Sequence, residues 1–388
     1  MRSKYDLMRI IYNIYICLFR TKFNKINMKI TFILPGYPWK PMGGFRVVYE
    51  YANHLVNRGH EVTVVHPRRL PSSLPSTSIY KWLRRKIGYM RNLFFEPKVT
   101  WQPIDKRVRI LFVPDPSPSY IPNADIVFAT WWETSELVIK YPTEKGKKFY
   151  LVQDFAPYLA PKERLENTWR EPMKKVCISS WLYNKVLDAG VSSEEVIAIP
   201  IGIDHKRFKL LKDIIKRPKR VLMMYLDSNY KATEDGLKAL KICKDNFKDF
   251  EVFIFGSSYK LKIFPSWIKY MGNVSEEELV HLYNSSSIFI SSSIAEGFAL
   301  PPAEAMACGC AVVATDSGGI REYAENEKTA LLSPPRDPES LSRNLLRLLK
   351  NDNLRIQIAK SGYEKIKEFT WERSTDLLEQ FLLKHFRT

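Results

Sequence analysis

Two carboxylates, Glu296 and Glu304, stand eight positions apart in the segment EGFALPPAE. The two prolines between them suit the first turn of a helix, where a missing backbone N–H costs nothing, and Gly309 suits the position after its last turn. We therefore predict a short helix over residues 303–308, with free N–H groups at its start that favour an anion. Because carboxylates accept hydrogen bonds from sugar hydroxyls, the pair could bind a ligand that carries a diphosphate and sugar rings. The alternative is one capping and one solvated carboxylate.

Length, charge and composition limit the classes of protein to consider. A chain of 388 residues is expected to fold as two domains, and its formal net charge of +18 favours anionic partners: a membrane surface, nucleic acid or phosphorylated substrates. The five cysteines and six histidines are scattered and show no zinc spacing, so no metal is expected. No nucleic-acid motif is present, which disfavours nucleic acid as a partner. No Gly-x-Gly-x-x-Gly follows a first strand, which disfavours a nicotinamide dehydrogenase.

Strand and helix patterns alternate in two successive arrays. Apolar runs at 30–34 and 61–66 flank a helical pattern over 45–57, a βαβ unit that requires a parallel sheet. A basic stretch at 206–219 is predicted to be a linker, and the pattern restarts at 220–225. The fold class is therefore predicted to be α/β, with two doubly wound domains that bind ligands at the carboxyl ends of their strands.

A long C-terminal segment gives a specific resemblance. The run YNSSSIFISSSIAEGFALPPAEAMACG, from Tyr283 to Gly309, and its continuation AVVATDSGGIRE resemble the signature of family 4 of the retaining glycosyltransferases (glycosyl transferases group 1). The Gly43-Gly44 loop after the first strand, the GID motif at 202–204 and Trp371 are similar to that family as well. The resemblance implies the GT-B fold, in which two Rossmann-like domains face each other across a cleft.

The resemblance also implies a division of the chain. Residues 28–205 would form an N-terminal acceptor domain, with a basic amphipathic insertion at 79–95. Residues 206–370 would form the donor domain, and 371–388 a helix that crosses back to the first domain. Residues 1–27 are a basic, apolar extension. We expect them to be either an interfacial anchor or an upstream extension from a misassigned start codon.

By similarity to the family, most donor-binding groups come from the second domain. Glu304 would accept hydroxyls of the donor ribose, Glu296 would face the transferred sugar, and Lys231 would neutralise the diphosphate. Glu296 and Lys231 are the expected catalytic residues. The remaining expected donor contacts are the backbone around the sugar and diphosphate, the base-binding loop, and two glycines that permit close approach: Gly297, Phe298, Ala299, Leu300, Val274, Gly43 and Gly44.

Two positions depart from the family pattern. Leu226 stands where the family usually has an arginine that pairs with Lys231, so another group must share the diphosphate charge. Gln153 stands where many members have a histidine near the reacting sugar. An amide can donate a hydrogen bond but cannot titrate, so Gln153 cannot be a general acid or base.

Aromatic and acidic residues mark a candidate acceptor side. Trp131, Trp132 and Glu133 follow the predicted strand at 125–129, and Gln153 and Asp154 follow the strand at 149–153. Indole faces pack on the apolar faces of sugar rings, and carboxylates bind their hydroxyls. The alternative is that the tryptophans fill the core.

The resemblance implies a retaining, metal-independent glycosyltransferase of hexosyl or deoxyhexosyl type, with a nucleotide sugar as co-substrate and no cofactor. Its acceptor would be a glycan or a lipid-linked glycan in the synthesis of a cell-surface polysaccharide or glycoconjugate. The alternative is a non-catalytic sugar- or nucleotide-binding scaffold derived from such an enzyme, which the changes at Leu226 and Gln153 make conceivable. Transfer or hydrolysis of a donor in vitro separates the two.

The segment IYKWLRRKIGYMRNLFF, residues 79–95, is basic and amphipathic. At about 100° per residue its apolar side chains share one arc and most of its arginines face away from it. This pattern is typical of a helix that lies in an anionic membrane surface, although it also fits a helix packed on the first domain. With no run of about 20 apolar residues in the chain, we expect a cytoplasmic protein, peripheral at the inner face of the cell membrane.

The membrane hypothesis predicts charge-dependent binding to vesicles. Exchange of Arg84, Arg85 and Arg91 for glutamate should abolish co-sedimentation with anionic liposomes, because each basic residue near the surface contributes about 1 kcal/mol. Binding of the triple variant at the level of the unmodified chain would contradict the hypothesis.

Overall fold

The structure is a computed structural model, and it describes residues 26–37, 39, 41–71, 98–155, 157, 160–256 and 264–386. The insertion at 79–95 and all but the last two residues of the extension at 1–27 lie outside the described residues. In the part of the chain that the structure describes, no helix has the length and apolarity needed to cross a membrane.

The first half of the chain forms a seven-stranded parallel sheet in the order β3-β2-β1-β4-β5-β6-β7. Most central strands are buried along nearly their whole length, as expected for a sheet with helices on both faces. Its strands are β1 (Lys29–Ile33), β2 (Glu61–Pro67), β3 (Arg109–Val113), β4 (Ile126–Ala129), β5 (Lys147–Val152), β6 (Lys174–Cys177) and β7 (Val196–Ala198).

The second half repeats the arrangement in a six-stranded parallel sheet of order β10-β9-β8-β11-β12-β13. Its strands are β8 (Arg220–Met224), β9 (Glu251–Phe255), β10 (Ile268–Tyr270), β11 (Ile288–Ser291), β12 (Ala311–Thr315) and β13 (Leu331–Ser333). The structure thus has two parallel α/β sheets, as the sequence predicts.

Helices connect the strands of both sheets. In the first half they are α1 (Gly43–Asn57), α2 (Trp132–Val138), α3 (Lys162–Arg170) and α4 (Ser180–Asp188). In the second they are α5 (Thr233–Asn246), α6 (Glu276–Ser285), α7 (Leu300–Ala307), α8 (Pro338–Lys350), α9 (Asp352–Ile366) and α10 (Trp371–Phe386). Local chemistry fixes several starts. Ser275 and Glu278 form a reciprocal capping box at α6, and Asp337 caps α8.

Helix α10 returns to the first sheet and packs against α1. The rings of Tyr51 and Trp371 meet edge to face, with their centroids 5.3 Å apart. Arg58, directly after α1, pairs with Asp376 at 2.8 Å and with Glu379 at 2.7 Å. The last helix is therefore part of the covering layer of the first sheet.

The element bounds differ from the predicted ones in informative places. Gly43 and Gly44, predicted to lie in a loop, are the first two residues of α1. That loop prediction was wrong because the start of α1 is set by packing of its buried face on the sheet, which outweighs the low helix propensity of glycine. The short helix predicted at 303–308 begins earlier, at Leu300, so that both prolines lie in its first turn. Helices α2, α3 and α4 were not predicted.

Replacement of Gly202 by alanine should displace α10. An ideal Cβ at Gly202 would lie 2.2 Å from the backbone nitrogen of Trp371, and backbone cannot move aside as a flexible side chain can. We expect the free energy of unfolding to fall by about 1–3 kcal/mol, measured by chemical denaturation followed by tryptophan fluorescence. Lys238→Ala on the surface of α5 is the control and should change it by less than about 0.5 kcal/mol.

Candidate functional site

In each sheet the strand order reverses at one point, called the switch point here. The connections after the two strands on either side of it lead to opposite sides of the sheet. In the first sheet this point lies between β1 and β4, and in the second between β8 and β11. Ligands of doubly wound sheets bind in the crevice at the carboxyl ends of such strands. Gly43 and Trp131 follow β1 and β4, and Lys231 and Glu296 follow β8 and β11. The candidate residues of both halves therefore stand at the two switch points.

Lys231 and Glu296 form an ion pair at the second switch point. Lys231 Nζ lies 2.5 Å from Glu296 Oε1, and the side chains are only 12% and 14% exposed. The backbone carbonyl of Lys231 accepts a hydrogen bond from Ser292 Oγ at 3.1 Å, which ties the lysine to the loop after β11. Burial alone would lower the pKa of Lys231, but Glu296, Tyr230 and Asp154 together outweigh it, so the pKa is raised and the ammonium stays charged.

The ion pair lines a small cavity at the edge of the second sheet. Its walls come from the ends of β8 and β11 and from the first turn of α7: Met224, Lys231, Phe289, Ile290, Ser291, Ser292, Ser293, Glu296, Pro301 and Pro302. The cavity thus combines one cation, one carboxylate and serine hydroxyls, a set that suits a phosphorylated, hydroxyl-rich ligand.

The loop before α7 is rigid and presents backbone donors. Phe298 is buried against the rings of Tyr323 and Phe369, at centroid distances of 5.3 and 5.9 Å. Ala299 has a left-handed φ of 67° and its carbonyl accepts a hydrogen bond from the Tyr323 hydroxyl. Among the described residues, none accepts a hydrogen bond from the backbone N–H groups of Gly297, Phe298 or Ala299. These donors, together with that of Leu300 at the helix start, suit an anion.

Gly297 is where the two halves approach most closely at the site. An ideal Cβ there would lie 2.0 Å from the carbonyl oxygen of Gln153, at the end of β5. Gln153 also lies close to Gly44, where an ideal Cβ would be 3.5 Å from Gln153 Oε1. Gln153 therefore lies between both glycines, and only glycine fits at position 297.

Glu304 lies apart from the Lys231–Glu296 pair in a different set of contacts. Its Oε1 accepts a hydrogen bond from Arg46 Nη1 at 2.8 Å, and its Oε2 accepts one from the Tyr283 hydroxyl at 3.4 Å. The residue is only 5% exposed. Burial raises the pKa of Glu304 to about 6, against the opposing effect of Arg46.

Arg46 and its neighbours form a charge cluster that the sequence did not reveal. Arg46 also donates to Glu276 at the start of α6, and Glu276 pairs with Arg207 at 2.6 Å. Burial lowers the pKa of Arg46, but Glu304 and Glu276 together outweigh it and leave the pKa raised. A contact between residues 258 positions apart has no signal in a single sequence. Only the position of Arg46, two residues after Gly44 in a predicted helix, could have drawn attention to it.

The other expected donor residues lie around these groups. Val274 is half-buried in the loop between β10 and α6, which contains Gly272 at a φ of 66°. Leu226 is half-buried after β8, and its carbonyl accepts a hydrogen bond from Thr233 Oγ1 at 2.7 Å. Neither residue touches the Lys231–Glu296 pair through a hydrogen bond.

A second depression lies beside the first switch point and brings together most of the expected acceptor-side residues. It is lined by Thr130, Trp131, Trp132, Tyr150, Gln153, Asp154, Leu165, Thr168 and Trp169. Trp132 is only 5% exposed, yet its Nε1 and the Oε1 of Gln153 have no hydrogen-bond partner among the described residues. Glu133 is not in this lining; it lies in the first turn of α2, near Arg164.

Asp154 is close to both the cavity that Lys231 lines and the aromatic depression. It lines the latter and is close enough to Lys231 to contribute to that residue's raised pKa. Within the described ranges, no three His, Cys, Asp or Glu side chains cluster as a metal site would require. The arrangement therefore offers a phosphate-binding edge on one sheet, a hydroxyl-binding edge on the other, and Gln153 between them.

Comparison with known proteins finds a family model that is similar to part of the second half of the chain. Residues 205–365 match the family model described as glycosyl transferases group 1. The O-antigen chain mannosyltransferase B of Escherichia coli is 35% identical over 109 residues, 28% of each chain. An uncharacterized glycosyltransferase of Methanocaldococcus jannaschii, MJ1178, is 30% identical over 219 residues, 52% of this chain and 56% of that protein. The chain thus aligns with between about a quarter and just over half the length of these curated relatives.

Solved structures resemble the whole described fold at low sequence identity. Anabaena Alr3699/HepE, solved in complex with UDP-glucose, superposes with a TM-score of 0.70 at 16% identity and covers 92% of this chain and 100% of its own. TarM superposes with a TM-score of 0.72 at 10% identity and covers 94% of this chain and 100% of its own. Together with the two parallel sheets, these similarities establish the GT-B fold. The chain thus has the fold of the GT-B glycosyltransferases, and its residues 205–365 match the model of the glycosyl transferases group 1.

Proposed function

We propose that this protein is a retaining glycosyltransferase that moves a hexosyl or deoxyhexosyl group from a nucleotide sugar to a glycan or lipid-linked acceptor, without a bound metal. The observation that carries the proposal is the Lys231–Glu296 pair, which lines a cavity within the segment that matches the family model. Residues 297–299, directly after Glu296, have backbone N–H groups with no acceptor among the described residues. A role in the synthesis of a cell-surface polysaccharide is supported by two relatives. One is the O-antigen mannosyltransferase, and the other is the amylovoran biosynthesis glycosyltransferase AmsK of Erwinia amylovora, 27% identical over 191 residues.

The donor site is built from the second sheet. The N–H groups of residues 297–300 and the ammonium of Lys231 bind the diphosphate, Glu296 accepts hydroxyls of the transferred sugar, and Glu304 accepts those of the ribose. The base lies against the loop that contains Val274. Because Leu226 supplies no charge, Lys231 and the backbone donors have to stabilise the leaving diphosphate, as preorganised donors do where negative charge develops.

The chemical step needs no titrating side chain at position 153. The bond between the anomeric carbon and the phosphate oxygen breaks, and a bond from the acceptor oxygen forms on the same face of the sugar. The acceptor's proton passes to the released phosphate oxygen. The Gln153 amide, held between Gly44 and Gly297, orients the sugar by hydrogen bonding and takes no proton.

The aromatic depression of the first half is the proposed acceptor side. A sugar hydroxyl both donates and accepts, so it has the chemistry to pair with either Trp132 Nε1 or Gln153 Oε1. The half-buried ring of Trp131 offers a face for a pyranose. If residues 79–95 bind the cytoplasmic membrane surface, they hold this first domain near a lipid-linked acceptor.

Loss of either member of the ion pair should abolish transfer. We expect Lys231→Ala and Glu296→Ala each to lower kcat by about 10²–10³-fold or more, because each removes a preorganised charge that faces the donor. The measurement is transfer or donor hydrolysis with a panel of UDP-, GDP- and dTDP-sugars.

The matched control is Lys241→Ala, which removes an exposed lysine that pairs with Asp245 on α5 and should leave the rate unchanged. Wild-type rates from Lys231→Ala or Glu296→Ala would disprove the site assignment. A wild-type chain that binds nucleotide sugars but neither transfers nor hydrolyses any of them would favour the non-catalytic scaffold.

Donor affinity should fall on acidification through the pKa of Glu304. Above about pH 6 this carboxyl is ionised and is a strong acceptor for ribose hydroxyls, and below it the group is protonated. Between pH 7 and pH 5 we expect the affinity for a nucleotide sugar to fall by about tenfold. A nucleotide sugar is chosen because its diphosphate diester does not titrate in this range.

Glu304→Gln is the control for this pH dependence. The amide has no ionisable group, so the variant should bind more weakly at pH 7 and show a flat profile. An unchanged slope in Glu304→Gln would assign the titration to another group.

A further inference from the structure

Arg46 connects the two halves of the chain through the carboxylate expected to bind the ribose. It lies in the first turn of α1, on the first sheet, and its guanidinium reaches Glu304 on α7 and Glu276 on α6, which both belong to the second half. The side chain is only 16% exposed. The contact is therefore a buried bridge across the cleft, of the charge-assisted kind that is among the stronger hydrogen bonds in proteins.

Both carboxylate oxygens of Glu304 already accept a hydrogen bond. One carboxylate oxygen accepts from Arg46 and the other from the Tyr283 hydroxyl. A guanidinium presents neighbouring N–H donors in a plane, much as the two neighbouring hydroxyls of a ribose present O–H donors. Arg46 places one of these donors on Glu304 and another on Glu276, so a ribose hydroxyl and Arg46 would use the same acceptor oxygen of Glu304.

If Arg46 moves away from Glu304, Arg46 and the neighbouring Glu276 still have charged partners. Glu276 keeps its pairing with Arg207 at 2.6 Å. Glu50 lies four residues after Arg46, on the same face of α1, and is close enough for the two charges to interact. The arginine therefore has a third acidic neighbour, Glu50, on its own helix.

We propose that Arg46 occupies on Glu304 the position taken by the donor's ribose hydroxyls, so that donor binding displaces Arg46 and releases the bridge between the two halves. This inference rests on the proposed function, since it takes Glu304 as the ribose acceptor. It adds that Arg46, a residue of the first domain, competes with the donor for Glu304. Arg46 is thus a positioning residue that makes the contact between the domains depend on the donor.

Removal of the Arg46 guanidinium should tighten nucleotide binding. The experiment titrates UDP, GDP, ADP and CDP into the full chain by isothermal calorimetry and repeats the best ligand as its 2′,3′-dideoxy analogue. For Arg46→Gln we expect the Kd of the ribonucleotide to fall by about tenfold, because a charge-assisted contact no longer has to be broken. The dideoxy analogue should gain nothing, because it has no hydroxyl to place on Glu304.

Arg58→Gln is the matched control. It removes an arginine at the other end of α1 that also forms buried ion pairs, with Asp376 and Glu379, but does not touch Glu304. Its Kd should equal that of the unmodified chain. A merely structural role of Arg46 predicts equal or weaker binding in Arg46→Gln.

Three results overturn the proposal: unchanged or weaker ribonucleotide binding by Arg46→Gln, an equal gain for the dideoxy analogue, or the same gain in Arg58→Gln. Absence of nucleotide binding by every form of the chain is a different result and overturns the proposed function itself. If Arg46→Gln does not fold, as judged by thermal melting, Glu276→Gln replaces it. That variant weakens the second anchor of Arg46 while Glu304 stays intact, and its ribonucleotide Kd should fall by about threefold. An unchanged Kd would again overturn the proposal.

Discussion

Parallel strand pairing is the constraint on which the rest of the structure depends. Within each sheet every described strand pairs in parallel, so each connection after a strand begins at the same edge. The loops after β1, β4 and β5 therefore share one edge, and those after β8 and β11 share another. Lys231 meets Glu296 at the second of these edges. Where the two edges meet, Gln153 and Gly297 come into contact although they are 144 positions apart.

The close contact at Gly297 limits what the site can be. Because its Cα lies against the Gln153 carbonyl, the loop of residues 297–299 cannot move toward the first domain without a change in the whole interface. Phe298 fixes the same loop from behind through two aromatic contacts. A loop held from both sides can present its N–H groups in one fixed direction, which is the condition for binding an anion without a cost in reorganisation.

The charged residues of the site form two groups, one that lines a cavity and one that connects the two halves. The Lys231–Glu296 pair lines a cavity and can exchange partners with a ligand there. The cluster of Arg46, Arg207, Glu276 and Glu304 connects the two halves, and Glu304 is its most deeply buried member. Buried charges of this kind need partners at all times, because an unpaired one costs several kcal/mol. A cluster with more than one possible pairing can therefore change its contacts without losing its charge balance.

The sequence by itself determined the α/β class, the succession of two parallel sheets, and the motif from Tyr283 to Gly309 that marks the second domain. These features are local: apolar runs, helical spacing, prolines and caps act over a few residues. It predicted β1, β2 and β8 to within one residue at each end, because buried strand runs are strong local signals. It missed α2, α3 and α4, where tryptophans and charged residues interrupt the apolar spacing.

Only the tertiary structure decided which residues meet. It placed Gly43 and Gly44 in a helix, paired Glu304 with Arg46, added Tyr150, Thr168 and Trp169 to the aromatic depression, and left Glu133 outside it. Each of these depends on contacts between segments tens to hundreds of positions apart, and a single sequence carries no signal for such distances. The sequence shows which functional groups are present in each loop. Which of these groups contact each other depends on how the strands and the two sheets come together.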